Sequence, residues 1–427
     1  MDLRHGIRPN LGQFLHQLLQ VLLVGLTLGM TRTVVPALAE SDFGVPKNSF
    51  VLLSSFVVAF GVVKGVMNFV AGRLSERLGR QRELLLGWAV ALPIPVLIGL
   101  APSWGWVVAA MVLLGINQGL TWSMTQTAKL DITRVDERGL TLGLNEFAGY
   151  VGVALAGIFT AYMAAELGPR PAILVFGLAV IVSALVLTVW WVKDTLPWAK
   201  AEVARHAQAA TAPLRPRFAQ GISASPSTRD IFRLVSWRDK RLMALSQAGL
   251  VEKFVDALVW VFYPVWLYQK GVSLPHVGWI VGVYGLVWGC SQLFTGRLSD
   301  HIGRHWPNVG GMWICGLGVV AMVLGDSVAG WVTASAITGF GMALLYPNLS
   351  AAVADLSHPA WRGSALGIYR FWRDLGYGIG AMALGLAADI TGQMQAAFWW
   401  VALAMFASGA LLWWLGEETH PRLNPAN

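Results

Sequence analysis

Nine charged side chains lie inside apolar stretches of this 427-residue chain: Arg32, Lys64, Glu146, Glu252, Lys253, Asp256, Arg370, Arg373 and Asp374. A lone charge at the centre of a bilayer costs roughly 2.5–3.5 kcal/mol on insertion scales, so nine persist only where they face water or one another. The chemistry open to such groups is ion pairing, proton carriage and the holding of a charged solute. Arg370, Arg373 and Asp374, at i, i+3 and i+4, share one helix face. Five of the nine are cations and four are anions, a net +1 that suits an anion, a zwitterion or a chelated metal better than a bare multivalent cation. Glu146, Glu252, Asp256 and Asp374 are the candidate proton sites.

The stretches that carry these charges are of membrane length. The chain is 56% hydrophobic and 13% charged, against roughly 45–50% and about 25% in soluble domains. Val51 to Ala71, Pro171 to Val192 and Ala397 to Leu415 are each near the ~20 residues that cross about 30 Å as helix. Twelve such spans are expected, near 18–39, 50–71, 84–101, 104–128, 139–163, 171–192, 243–266, 275–296, 308–325, 328–352, 364–388 and 393–415. Arg373, Asp374 and Glu252 then fall near mid-membrane, with Arg32 and Asp256 further out. Lys64 lies close enough to the inner end of its span to snorkel.

Positive charge sets the expected orientation. With both termini inside, the inner segments hold 23 Lys and Arg and the outer loops three, Lys47, Arg170 and Lys270. That asymmetry accounts for the net charge of +8 without a nucleic-acid partner. Residues 193–241 form the one long polar stretch, rich in Pro, Ser and Ala. They read as a linker joining a half at 1–192 to a half at 242–427, with Asp230 to Arg241 as a short amphipathic helix on the inner surface. A first apolar run that is long and contains Arg32 argues against a cleaved signal peptide.

The two halves repeat at an offset of 224 residues. GRLSERLGR at Gly72 to Arg80 returns as GRLSDHIGR at Gly296 to Arg304, and Asp131 with Arg138 returns as Asp355 with Arg362. The same offset places Arg32 on Asp256 and Glu146 on Arg370, mates of opposite charge. Glycines permit a tight turn and close helix approach, while acids and arginines offer charge-assisted bonds between helix ends.

Twelve spans in duplicated halves, with G-x-x-x-[D/E]-[basic]-x-G-R after spans two and eight, resemble the major facilitator superfamily over essentially the whole chain. The resemblance implies an all-α membrane fold of two pseudo-symmetric six-helix halves that move a solute by alternating access. It implies a gating latch of Gly72, Glu76, Gly79, Arg80, Asp131 and Arg138, repeated as Asp300, Arg304, Asp355 and Arg362, although Glu76 departs from the usual Asp. It also places Arg32, Glu146, Asp256 and Arg370 on helices that line a central cavity, where they bind substrate or ions unless they are permanently paired. Glu252, Lys253, Arg373 and Asp374 join them as candidates.

Gln118, Trp122 and Gln126 recur every four residues as a polar stripe, joined by Ser123 and Asn348. Trp122 and Tyr346 are repeat mates that could flank the cavity as an aromatic pair. GYVGVALAG at Gly149 to Gly157 is small-residue packing; it lacks the Pro of the antiporter signature, which disfavours multidrug efflux. INQGLTWSMTQTAKLDITR and RGLTLGLNEFAGY are similar to the branch that includes the magnetosome transporter MamH. That similarity implies iron transport in biomineralisation and a magnetosome-membrane location as an alternative to the bacterial inner membrane. Iron prefers carboxylate or imidazole ligands, and no His lies deep in a span.

The rival readings are a proton-coupled organic or inorganic anion carrier and a non-transporting sensor or scaffold. Two cysteines, Cys290 and Cys315, supply neither a disulfide framework nor a thiolate metal site. No P-loop and no nucleophile–base set stands in the sequence, so neither ATP-driven transport nor an enzyme is expected. No cofactor and no metal site are expected. The expected partners are membrane lipids and a small solute or ion.

Overall fold

The computed structural model describes residues 3–46, 49–134, 137–201, 227–357, 361–420 and 423; the side chains of Glu40, Gly72, Arg73, Glu76, Arg138, Gly139, Asp300, Arg362 and Gly363 lie outside that description. All regular structure among the described residues is helical, which is how a backbone without water satisfies its own polar groups. The first half comprises α1 (Leu11–Ser41), α2 (Phe50–Leu78), α3 (Arg80–Ala91), α4 (Pro93–Gly99), α5 (Trp104–Ile132), α6 (Arg138–Leu167) and α7 (Pro169–Trp191). A short helix, α8 (Thr228–Arg233), continues as a π turn over Leu234–Arg238. The second half follows as α9 (Lys240–Gln269), α10 (Leu274–Ile302), α11 (His305–Leu324), α12 (Val328–Leu356), α13 (Arg362–Thr391) and α14 (Gln395–Leu415).

The repeat holds to the residue in the second, fourth and fifth spans of each half. Adding 224 to the bounds of α2, α5 and α6 gives the bounds of α10, α12 and α13. The third span shows where the halves differ. Pro93 and Pro95 each remove a backbone donor, and the span breaks into α3 and α4, whereas α11 runs unbroken for 20 residues with its one proline in the first turn. Among the described residues ten spans are long and apolar enough to cross a membrane by length and composition, α3 and α4 together counting as one. The two other long helices, α9 and α13, carry six of the charges picked out from the sequence.

Within each half the first helix packs on the fifth-span helix, α1 on α6 and α9 on α13, and the second on the fourth, α2 on α5 and α10 on α12. The halves meet along α2 with α13 and α6 with α10, with α1 against α9 between them. Glycines make this approach close. A Cβ at Gly61 would lie 2.3 Å from the Gly378 nitrogen, and one at Gly278 would lie 2.6 Å from the Ala161 Cβ. In the Gly149 to Gly157 run, a Cβ at Gly152 would stand 2.3 Å from the Leu22 carbonyl of α1, consistent with small-residue packing. The outer surface is apolar, as lipid contact requires, with Ile390 82% and Phe294 71% exposed.

Of the linker expected over 193–241, residues 202–226 lie outside the described residues. α8 does not lie free: Ile231, Leu234 and Val235 are buried, and the Trp372 indole of α13 donates to the Ser236 hydroxyl at 2.8 Å.

Candidate functional site

A cavity of about 570 Å³ lies between the halves, with Glu137, Leu140, Arg297 and Arg304 at its rim. It therefore opens at the end that carries Gly79 and Gly303. Its inner wall includes Lys64 and Asn68 of α2, Trp122, Ser123 and Gln126 of α5, Glu146 of α6, and Gln292 of α10. Tyr346 and Asn348 of α12 and Arg370, Arg373 and Asp374 of α13 complete it.

The charges in this wall have unequal partners. Arg373 and Asp374 pair side by side, Nε to Oδ1 at 3.0 Å, and the Asn68 amide also donates to Asp374. The Arg373 guanidinium covers the Tyr346 ring at 4.5 Å. Lys64 stands over the rings of Phe60, Trp122 and Tyr377 at 5.6, 5.6 and 5.2 Å, a cation–π cage. It therefore points into the cavity and does not snorkel away. Glu146 Oε1 accepts from the Trp122 indole at 3.2 Å and the Asn145 amide at 2.8 Å, while its Oε2 has no partner. The Arg370 guanidinium, half-buried in the wall, makes no ion pair among the described residues.

Beyond the closed floor of the cavity lies a second charged layer. Arg32 and Asp256 join across the halves at 2.6 Å, with side chains 2% and 0% exposed. The Tyr377 and Tyr284 hydroxyls also donate to Asp256. Lys253 lies 3.5 Å from Asp256 and 3.8 Å from Glu252, and its ammonium faces Trp288, Tyr346 and Tyr377. Glu252 is fully buried and neither oxygen has a hydrogen bond. Arg32, Glu252, Lys253 and Asp256 thus sit outside the open cavity, in the layer that shuts it. Trp260 fills the same layer, its ring edge-on to Phe56, Phe60 and Tyr377.

At the cavity's open end each half carries the same knot. Arg80 Nε donates to Asp131 at 3.0 Å and Nη1 to Ser75 at 3.2 Å; Arg304 repeats this with Asp355 at 2.7 Å and Ser299 at 3.0 Å. The Gly79 turn has φ +87° and the Gly303 turn φ +91°, a region that favours glycine. Space demands glycine as well, since a Cβ would fall 2.0 Å from Asp194 and 2.1 Å from Glu418. Those acids accept the Arg80 and Arg304 backbone N–H, and Thr195 and Thr419 donate to Asp131 and Asp355. The remaining latch candidates, Gly72, Glu76, Arg138, Asp300 and Arg362, have side chains outside the described residues.

Several sequence expectations land elsewhere. Gln118 does not line the cavity: its amide donates to the Val24 carbonyl and Thr27 hydroxyl of α1, at 3.0 and 3.1 Å. A four-residue step overshoots a helical turn, so the stripe drifts from the cavity at Trp122 and Gln126 to the α1 contact at Gln118. Trp122 and Tyr346, by contrast, both line the cavity, and Tyr150 stands between them, 5.4 and 5.8 Å from the two rings. Lys129, counted above with the inner loops, is buried in α5 and donates to the Gln17 carbonyl at 3.0 Å.

The residues not foreseen are Asn68, Gln292, Tyr150, Tyr377, Asp194 and Glu418. The repeat held a signal for four of them, since Asn68 maps to Gln292 and Asp194 to Glu418. Among the described residues no three His, Cys, Asp or Glu side chains gather as a metal site.

Comparison with known proteins agrees with this architecture. A family model described as Major Facilitator Superfamily matches residues 18–249 and 245–427. An uncharacterized MFS-type transporter of Salmonella typhimurium is 22% identical over 87% of this chain and 88% of its own. The inner membrane transport protein YajR of Escherichia coli is 30% identical over 35% of this chain and 33% of its own. Among solved structures, a D-xylose-proton symporter superposes with a TM-score of 0.73 at 16% identity, over 96% of this chain and 98% of that one. The human organic anion transporter MFSD10 (TETRAN) does so at 0.66 and 18%, over 95% and 99%. With the duplicated fold, the central cavity and a family match over most of its length, the chain is a multi-pass membrane transporter that belongs to the Major Facilitator Superfamily.

Proposed function

We infer that the protein is a secondary carrier of a small organic anion, working by alternating access between halves at 1–192 and 242–427, joined by 193–241. The observation that carries the reading is Arg370, a cavity guanidinium without an ion pair among the described residues, beside Lys64 and Arg373. Three cations against Glu146 and Asp374 leave the wall one charge short of neutral, and a guanidinium matches a carboxylate bidentately. The excess of Lys and Arg at the open end supports a cytoplasmic position for that end, in a bacterial inner membrane. The cavity then faces inward, Arg32 and Asp256 act as a gate on the outer side, and the Arg80 and Arg304 knots hold the cytoplasmic turns through the cycle.

An iron cargo would ask for converging oxygen ligands. Asp374 is already engaged by Arg373 and Asn68, and Glu146 by Trp122 and Asn145 through Oε1, which leaves Glu146 Oε2 as a single oxygen and no converging set. The cavity therefore favours the anion over the magnetosome reading. Proteoliposomes loaded in turn with monocarboxylates, dicarboxylates, phosphate and iron chelates, with and without a pH gradient, test this. Anion flux should appear and should fall more than about tenfold in Arg370→Ala and Arg373→Ala at unchanged protein yield. Flux of iron alone, or anion flux untouched by both substitutions, would refute the reading; folded protein that moves none of these solutes would favour a sensor.

A further inference from the structure

Most charges around the cavity already have partners. Arg373 and Asp374 hold one another, Asn68 donates to Asp374, and Lys64 rests on three rings. At the rim Glu137 is tied to Arg134 and to the Ile7 N–H, while Arg297 is exposed. Unmatched groups in the wall include the Arg370 guanidinium, Glu146 Oε2, Asn348 Oδ1, and the buried Gln292 side chain, whose oxygen and nitrogen both lack partners. Leaving such atoms unpaired is costly, so a wall that keeps them is complementary to donors and acceptors brought by a solute.

Arg370 and Glu146 are mates under the 224-residue repeat. The other mates of opposite charge, Arg32 and Asp256, are closed on each other at 2.6 Å. One pair is shut; both members of its counterpart line the cavity and make no ion pair among the described residues, with Glu146 Oε2 buried in the wall. We propose that the transported solute is a zwitterion that bridges the open pair, its anionic group on Arg370 and its ammonium on Glu146 Oε2, with Gln292 bonding a neighbouring polar group.

The inference rests on that reading's anionic group at Arg370 and departs from it in adding an ammonium to the same solute. A simple monoanion would satisfy Arg370 but leave Glu146 Oε2 without a donor. A simple cation would leave Arg370 unmatched beside Arg373. An ammonium offers donors to a single carboxylate oxygen, and a carboxylate accepts the guanidinium fork. The arrangement also suggests what replaces the solute. When the halves rock and Arg32 parts from Asp256, Arg370 and Glu146 can close on one another, so that one pair is engaged in each access state.

Matched compounds test the bridge. Purified protein is titrated with the common amino acids, their N-acetyl derivatives and their carboxamides, and thermal stabilisation is read. At least one amino acid should stabilise at a concentration about tenfold or more below either derivative. Glu146→Gln should erase the advantage over the N-acetyl compound while keeping the response to it. Arg370→Lys should weaken the response to both acids and Arg370→Ala should abolish it, with size-exclusion profiles unchanged. N-acetyl compounds that bind as tightly as their parents, or a preference that survives Glu146→Gln, would overturn the bridge and leave the anion carrier standing. Binding of carboxamides alone would overturn both. If no set stabilises the wild type, the bridge is wrong, and the anion reading is judged by the proteoliposome fluxes.

Discussion

At the scale of single residues, the buried ion pair between Arg32 and Asp256 decides more than its neighbours do. Removing one member of a fully buried pair strands a charge and typically costs about 3–5 kcal/mol, while replacing both by apolar groups costs far less. Asp256→Asn should therefore lower the detergent-solubilised protein's melting temperature clearly, and Arg32→Met with Asp256→Leu should recover most of the loss. A double variant that melts no higher than the single would mean that Arg32 is held by other contacts. Glu418 gives a different residue-scale test. Burial alone would raise its carboxyl, but backbone N–H donors from Arg304, His420, His305 and Thr419 hold it below the usual carboxylate range. A folded value below the unfolded one means that the stabilisation is present above the ordinary glutamate value, about 4.3, and is lost as pH falls through the folded value. Glu418→Gln should thus cost about 0.5–2 kcal/mol at neutral pH, as loss of a helix cap does, with the difference from wild type shrinking in acid. Equal melting shifts at both pH values would count against this assignment.

At the scale of elements, the sequence was most legible where the repeat is strict. The glycine turns after α2 and α10 are placed by GRLSERLGR and GRLSDHIGR, and the structure adds the reason for glycine, an acid packed where a Cβ would stand. Each acid lies 114 residues beyond the arginine whose N–H it accepts, so no local spacing points to it. The opposite-charge mates were equally legible as mates. Which pair would be closed was not, because pairing depends on how the two halves lean. Gln118 illustrates the same limit at smaller range: the polar stripe was visible, but only the seat of α1 on α5 decides which part faces the cavity.

At the scale of the whole molecule, closure of the end opposite the cavity mouth is shared by several contacts between halves. Asp389 at the end of α13 accepts the backbone N–H of Phe50 and Val51 at 2.6 and 3.1 Å, capping α2 of the other half. Trp279 of α10 donates to the Tyr162 hydroxyl of α6 at 2.9 Å. A carboxylate at a helix start is stabilising both as a cap and against the helix dipole. Asp389→Ala should weaken this closure by about 1 kcal/mol and raise the population open at that end. Spin labels at Ser103 and Asp326, on a background lacking Cys290 and Cys315, should report a longer distance component in the variant. An unchanged distribution would show that the cap does not hold the closed state.

Composition, span length and the 224-residue repeat are local or additive properties of the chain, and by themselves they determined an all-helical membrane protein built twice over, to which the resemblance to the Major Facilitator Superfamily added transport. They also determined which side chains were too costly to be buried without a purpose. What only the tertiary structure decided is the division of those charges into a shut layer and an open one. Arg32 meets Asp256 while Arg370 and Glu146 face a cavity, because contact between halves depends on a relative tilt that leaves every local helix, turn and spacing unchanged.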